Sequence, residues 1–178
     1  LELNLSITEN TNSKFPSEAD VVIVGVGGIV GSMIAYWLSE LGQKNIVGLE
    51  KSSVIPSDIA STANASDFVY NTTHDKLGCW TTAYSRKFYE DNGFFLKKGG
   101  LEICRKGDDA RWEELKRKVG SGKAFGTNVR LISAAEAKEK FPLLDEESLM
   151  GAMWDPDAGL VIPRSQDVVS FAVESAKD

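Results

Sequence analysis

The stretch VVIVGVGGIVGS, residues Val21 to Ser32, restricts the chain to few structures. Four β-branched residues in a row favour a buried extended strand, and glycines at 25, 27, 28 and 31 break it. From there Met33, Ile34, Trp37, Leu38 and Leu41 recur at helical spacing until Gly42. The pattern predicts a strand over 20–25, a glycine turn, and a helix over 29–41. Asn45 to Glu50 (NIVGLE) supplies a second strand, so the segment reads as a right-handed βαβ unit with parallel strands.

Such a turn can cradle a phosphate. In a dinucleotide fold one glycine permits the turn, a second lets backbone approach the diphosphate, and a third lets helix and strand pack closely. The spacing here is off by one. Counted from the strand, Gly25 and Gly27 fit and the third position falls on Val30; counted from the helix, Gly28 and Gly31 fit and the first falls on Val26. Both registers are met if Gly25 serves the strand, Gly28 and Gly31 serve the helix, and one extra residue bulges between them. The fold also needs an acid about 20 residues on, because two ribose hydroxyls call for a bidentate acceptor. Glu50 ends the second strand, 19 residues after Gly31. Two other readings compete: glycines that only ease packing, and an adenylating enzyme of the ubiquitin-activating type.

Residues 21–39 carry no charge, which is close to a bilayer-spanning length, and Gly27 and Gly31 have the spacing of helix dimers. Four glycines and a β-branched block argue for strand, turn and helix instead, so no membrane span is expected. The net charge of −6, with no dense Lys/Arg cluster, excludes a nucleic-acid partner. Lys116-Arg117-Lys118 follows two glutamates on a helical pattern and reads as a solvated face. Cys79 and Cys104 form no framework and no metal pair, which fits free thiols in a reducing compartment and leaves a single disulfide open. The expected compartment is the cytoplasm, with the mitochondrial matrix as the alternative. N-x-[ST] triplets at Asn4, Asn64 and Asn71 matter only in a secreted protein, and no signal-peptide pattern opens the chain.

The remaining pattern is mixed. Residues 1–18 read as a polar arm whose Leu/Ile alternation suits an added strand, and 51–73 as a long polar loop. A helix over 75–91 aligns Leu77, Trp80, Tyr84 and Phe88 as a core face. Strands are expected over 94–97, 101–105, 129–132 and 150–154. Between them a helix over 108–118 turns Trp112, Leu115 and Val119 inward, and Ser133-x-x-Glu136 is a capping box for a short helix ended by Pro142. Pro163 is expected in the first turn of a last helix.

The glycine motif alone does not separate NAD from FAD. Several stretches together resemble the FAD-dependent amine oxidoreductases of the D-amino-acid oxidase and glycine oxidase superfamily, most closely its dimethylglycine and sarcosine dehydrogenase or oxidase branch. These are ADVVIVGVGGIVGSMIAYWLSELG, GLEKS, ASTANAS, GGLEICRKGDDARWEELKRK, LISAAEAKEKFPLLD and MGAMWDPDAGLVIP. The resemblance implies an α/β fold: a Rossmann-like FAD-binding βαβ region over 19–93, the start of an antiparallel α+β substrate domain over 94–162, and a helix over 163–178 returning toward the FAD domain. It implies that Gly25, Gly28, Ile29, Val30 and Gly31 hold the FAD diphosphate, and that Glu50 takes the adenosine ribose beside Lys51. Ser61 and Thr62 would lie along the diphosphate and ribityl chain, and Asn64, Ala65 and Ser66 would approach the flavin ring.

Departures from the family matter. Asn64 stands where dimethylglycine-type enzymes carry a histidine bonded to the flavin, and an amide cannot make that link, so the flavin is expected to be held non-covalently. His74, the only histidine, reads as a residue at the start of a helix. Ala60 replaces a family glycine, and Val26 is extra. The family's substrate-binding residues lie beyond this length, so the chain is expected to be the N-terminal part of a longer oxidoreductase, or one piece of a split or nicked protein completed by the remainder or by a complementary chain. Catalytic residues cannot be assigned, and no metal ligands appear. The expected substrate is a small secondary or tertiary amine such as an N-methylated glycine. A non-catalytic regulatory relative and an NAD-dependent dehydrogenase are the alternatives.

Overall fold

In the computed structural model, residues 16–177 are described; the expected arm and its strand fall mostly outside them. In chain order the elements are β1 (Val21–Val24), α1 (Ile29–Glu40), β2 (Ile46–Leu49), a 3-10 turn (Ser61–Asn64), β3 (Phe68–Val69), α2 (Lys76–Asp91), β4 (Phe95–Lys97), β5 (Gly100–Arg105), α3 (Asp109–Ala124), β6 (Arg130–Ile132), α4 (Ala134–Lys140), a 3-10 turn (Glu146–Ser148), β7 (Leu149–Asp155), β8 (Gly159–Val161) and α5 (Ser165–Ser175). The chain divides into two compact units. One holds the described residues up to Asp67 together with those from Ile162 onward, and the other spans Phe68–Val161.

In the first unit β1 and β2 pair in parallel, Val21 opposite Ile46 and Val24 opposite Leu49, as a βαβ crossover requires. Alternation along β1 buries Ile23 and leaves Val22 and Val24 on the exposed face. Ile23, Val26, Ala35, Ile46, Val169, Val173 and Ala176 form the core, so α1 and α5 both pack here. The inward face of α1 differs from the apolar stripe of the sequence. Gly31, Ser32 and Ala35 are buried, whereas Ile34 and Leu41 are exposed. Small residues face inward because the helix starts so close to the strand. Pro163 lies before the N-cap Arg164 rather than in the first turn of α5.

The second unit is antiparallel. β5, β7 and β6 form one three-stranded sheet, and β3, β8 and β4 another. Cys104, Leu115, Val119, Val129 and Met153 pack α3 against the first of these, with Trp112 partly buried beside them. Both cysteines are buried free thiols, which closes the disulfide alternative. Buried Asp155 accepts hydrogen bonds from the Asn71 amide (3.1 Å) and the Thr72 hydroxyl (2.9 Å), tying the chain after β3 to the end of β7. Asn71 is itself buried, which withdraws it as a glycan acceptor.

Two expectations are corrected in this unit. On α2 only Phe88 is buried of the expected core face; Leu77 and Trp80 are 68% and 60% exposed. Lys118 is not part of a solvated basic face. It pairs with Glu102 and lies 5.6 Å from the centre of the Tyr70 ring, its aliphatic stem covered. His74 precedes the Asp75 N-cap of α2, and its Nε2 is 3.4 Å from Glu114. The capping box opening α4 forms in full, with Ser133 Oγ accepting from the Glu136 amide and Glu136 accepting from the Ser133 amide, both at 3.1 Å. Ser133→Ala removes one of these bonds and is expected to lower stability by about 1 kcal/mol in a urea titration.

Candidate functional site

The site forms where β1 ends. Gly25 and Val26, the two residues that follow β1, both donate their amides to the Leu49 carbonyl, at 2.7 and 3.2 Å, which ties the start of the glycine turn to the end of β2. Gly25 has φ +88°, a conformation open to glycine, and Val26 is fully buried in the core. A Cβ on Gly31 would lie 2.3 Å from the Gly25 carbonyl oxygen, so only glycine allows this approach of helix and strand. A Cβ on Gly27 would lie 2.7 Å from Glu50 Oε2, whereas one on Gly28 would meet nothing nearer than 3.7 Å.

Glu50, half-buried at the end of β2, turns back to the loop. Its Oε2 accepts from the Gly27 amide and its Oε1 from the Ser52 amide, both at 2.9 Å. Burial pushes the Glu50 carboxyl up, but the Ser52 and Gly27 amides outweigh it and hold the group below its ordinary value. Two amides occupy one lone pair on each oxygen, and a carboxylate has about four acceptor positions, so room remains for two hydroxyl donors. Lys51 beside it is exposed.

Gly28 is the N-cap of α1, with no side-chain cap and no acid in the first turn. The first amides of a helix have no acceptor within it and carry partial positive charge. The Ile29 amide donates to Thr62 Oγ1 at 3.0 Å, which anchors the 3-10 turn against the helix start and leaves the Thr62 O–H to donate onward. Val30 is exposed beside it. Thr62 is nearly buried, Ser61, Asn64 and Ser66 are exposed, and Ala65 is half-buried. The polar loop is therefore built into the unit. The glycine turn, Glu50, Ile29 and Thr62 come together, and Asn64, Ala65 and Ser66 follow Thr62 along the loop.

Asp67 was missed by sequence reasoning. Its carboxylate accepts from the Ser165 amide (2.9 Å), the Ser165 hydroxyl (2.6 Å) and Arg164 Nε (2.7 Å). Burial pushes this carboxyl up, but Ser165 and Arg164 together hold it below its ordinary value. Almost a hundred residues separate the partners, so no local motif could have revealed them. Carboxyls with depressed pKa values stabilise the fold above their unfolded values and lose that contribution as pH falls through the folded ones. Melting temperature is therefore expected to fall as pH drops out of the ordinary carboxylate range and through the lowered folded values of Glu50 and Asp67, and Asp67→Asn should flatten part of that drop in a melt series from about pH 7 to about pH 3.

Strand, glycine turn, uncapped helix start and returning carboxylate define a dinucleotide-binding βαβ unit. The family described as FAD dependent oxidoreductase matches residues 20–167, and the chain belongs to that family. It is 29% identical to human mitochondrial sarcosine dehydrogenase over 88% of this chain and 17% of that protein. It is 30% identical to the mouse mitochondrial pyruvate dehydrogenase phosphatase regulatory subunit over 96% of this chain and 19% of that one. Among solved structures, L-proline dehydrogenase from P. horikoshii is 29% identical with a TM-score of 0.79, covering 92% of this chain and 42% of that one. The chain thus spans under a fifth of the curated relatives it matches. FAD is the cofactor of the family. The residues fit it: a Cβ-free approach, a helix start without competing acid, and a carboxylate with spare acceptor positions. No helix among the described residues is long and apolar enough to cross a membrane.

Proposed function

We propose that this chain is the FAD-binding part of an oxidoreductase acting on a secondary or tertiary amine such as an N-methylated glycine. The observation that carries the reading is the Glu50 carboxylate, folded back within hydrogen-bond distance of the Gly27 amide at the mouth of α1. In this reading Gly25, Gly28 and Gly31 shape the turn, and the α1 start at Ile29 and Val30 faces the diphosphate. Thr62 passes a hydrogen bond on to it, with Ser61 beside. Glu50 accepts from the adenosine ribose, next to Lys51. Asn64, Ala65 and Ser66 run toward the flavin ring, and because Asn64 has no nucleophilic nitrogen, the flavin is held by contacts alone. When bound, FAD would supply a two-electron acceptor for oxidation of the amine. The chain's own part is to bind and orient; the groups that touch substrate belong to further sequence of the same protein or to a complementary chain. Similarity to sarcosine dehydrogenase supports the amine class, and the mitochondrial relatives with the two buried thiols support a reducing compartment, the mitochondrial matrix.

A visible spectrum of the full-length protein tests this. The expected result is a flavin band that bleaches anaerobically with sarcosine or dimethylglycine, and a flavin released into the supernatant by acid precipitation. The second reading, a non-catalytic regulator, draws on the 30% identity to the phosphatase regulatory subunit and is favoured by a flavin band that no amine bleaches.

A further inference from the structure

We propose that Asp67, Arg164 and Ser165 are positioning residues for flavin, fixing the 61–66 loop by gripping it from the start of α5. The inference rests on the FAD reading above. Asp67 is only 12% exposed at its side chain, and its two oxygens take three donors from two neighbouring residues. The Arg164 guanidinium also reaches the Ala63 carbonyl through Nη2 at 3.4 Å, so one side chain holds both the middle of the 3-10 turn and the residue that closes the loop. Asp67 adopts φ +59°, shared among the described non-glycine residues only with Asn45. Such a backbone costs energy and persists where its surroundings over-determine it.

At its other end the same loop is pinned by Thr62 to the Ile29 amide of α1. The four-residue turn Ser61–Asn64 is thus held between two helix starts, with exposed Asn64 and Ser66 between or beside the pins. Buried Val168, Val169, Ala172 and Val173 fix α5 in the core. Releasing the Asp67 end lets the loop pivot about Thr62, and Asn64 to Ser66 move while the glycine turn does not. Flavin contacts loosen at the ring before the adenosine end is affected.

The test uses the full-length protein and compares Asp67→Asn with Val173→Ala. Asparagine tolerates the left-handed backbone as well as aspartate does, so the first change keeps the backbone and removes the charge and one of the two acceptor oxygens that face Arg164 and Ser165. The second removes buried volume from α5 in the core of the unit. FAD affinity is read from quenching of flavin fluorescence, the ring environment from the position of the flavin absorption band, and folding from circular dichroism melts. Asp67→Asn is expected to weaken FAD binding about tenfold and to move the band. Val173→Ala is expected to lower the melting temperature at least as far while leaving affinity within about twofold and the band in place. Wild-type affinity and band in Asp67→Asn overturn the inference, as does a Val173→Ala protein showing the same loss and the same band shift. A wild-type protein that takes up no FAD removes the function and this inference together, which separates the two failures.

Discussion

Gly31→Ala is expected to yield protein that is largely insoluble or unfolded and carries no flavin. The added methyl would sit 2.3 Å from the Gly25 carbonyl oxygen and 2.9 Å from Val26 Cα, and both are backbone atoms. Neither can rotate away as a side chain could. Relief requires α1 to move off β1, which separates Ala35 from Ile23 and Val26 in the core. Overpacking against backbone costs about 3 kcal/mol or more, a large share of a small unit's stability. Gly28→Ala is the control. Its methyl meets the Ala60 and Thr62 side chains at 3.7 Å and the Gly25 carbonyl oxygen at 3.9 Å, all ordinary contacts, so the expected loss is no more than about 1 kcal/mol, from a poorer N-cap. Thermal melts of the two variants side by side check the contrast; equal losses would remove the steric argument.

Glu50→Gln is expected to weaken FAD binding by about 10- to 100-fold, the worth of about 1.5–3 kcal/mol for hydrogen bonds to a charged acceptor. The amide keeps the shape of the carboxylate but presents one N–H₂ group, which cannot accept from both Gly27 and Ser52. A buried amide without an acceptor results, or the side chain turns out and leaves the ribose unmatched. Titration of flavin fluorescence at pH 7 measures the loss. Because the Glu50 carboxyl is held below its ordinary value, wild-type affinity should stay flat down to about pH 5 and fall only as the group protonates. Glu50→Gln should show no such fall in that range.

The α/β class and the βαβ unit were legible because each depends on local pattern: four β-branched residues, a glycine cluster, a helical period and a terminal acid. The same holds for the Ser133 capping box, a bond between residues three apart. Surface and core were harder to separate. The stripe on α2 has the period of a buried face, yet Leu77 and Trp80 are exposed, since period says which residues share a side and not what lies against it. β3 and β8 went unseen: β3 has two residues, and the pairing of Phe68 with Leu160 joins positions far apart in the sequence. In the site, the glycine count was ambiguous by one because spacing does not say which glycine meets which neighbour; the close approach of Gly31 to the Gly25 carbonyl is a contact made only in the folded unit. Asp67 and Arg164 were invisible for the same reason, being partners brought together only when α5 packs on α1.

The account stands on Glu50 facing an adenosine ribose at the glycine turn, and a crystal structure of the full-length protein grown with FAD tests it most directly. It predicts the ribose hydroxyls within about 3 Å of the Glu50 carboxylate and the diphosphate at the start of α1. An adenosine end lying elsewhere, with Glu50 bonded to Gly27 and Ser52 alone, would contradict it.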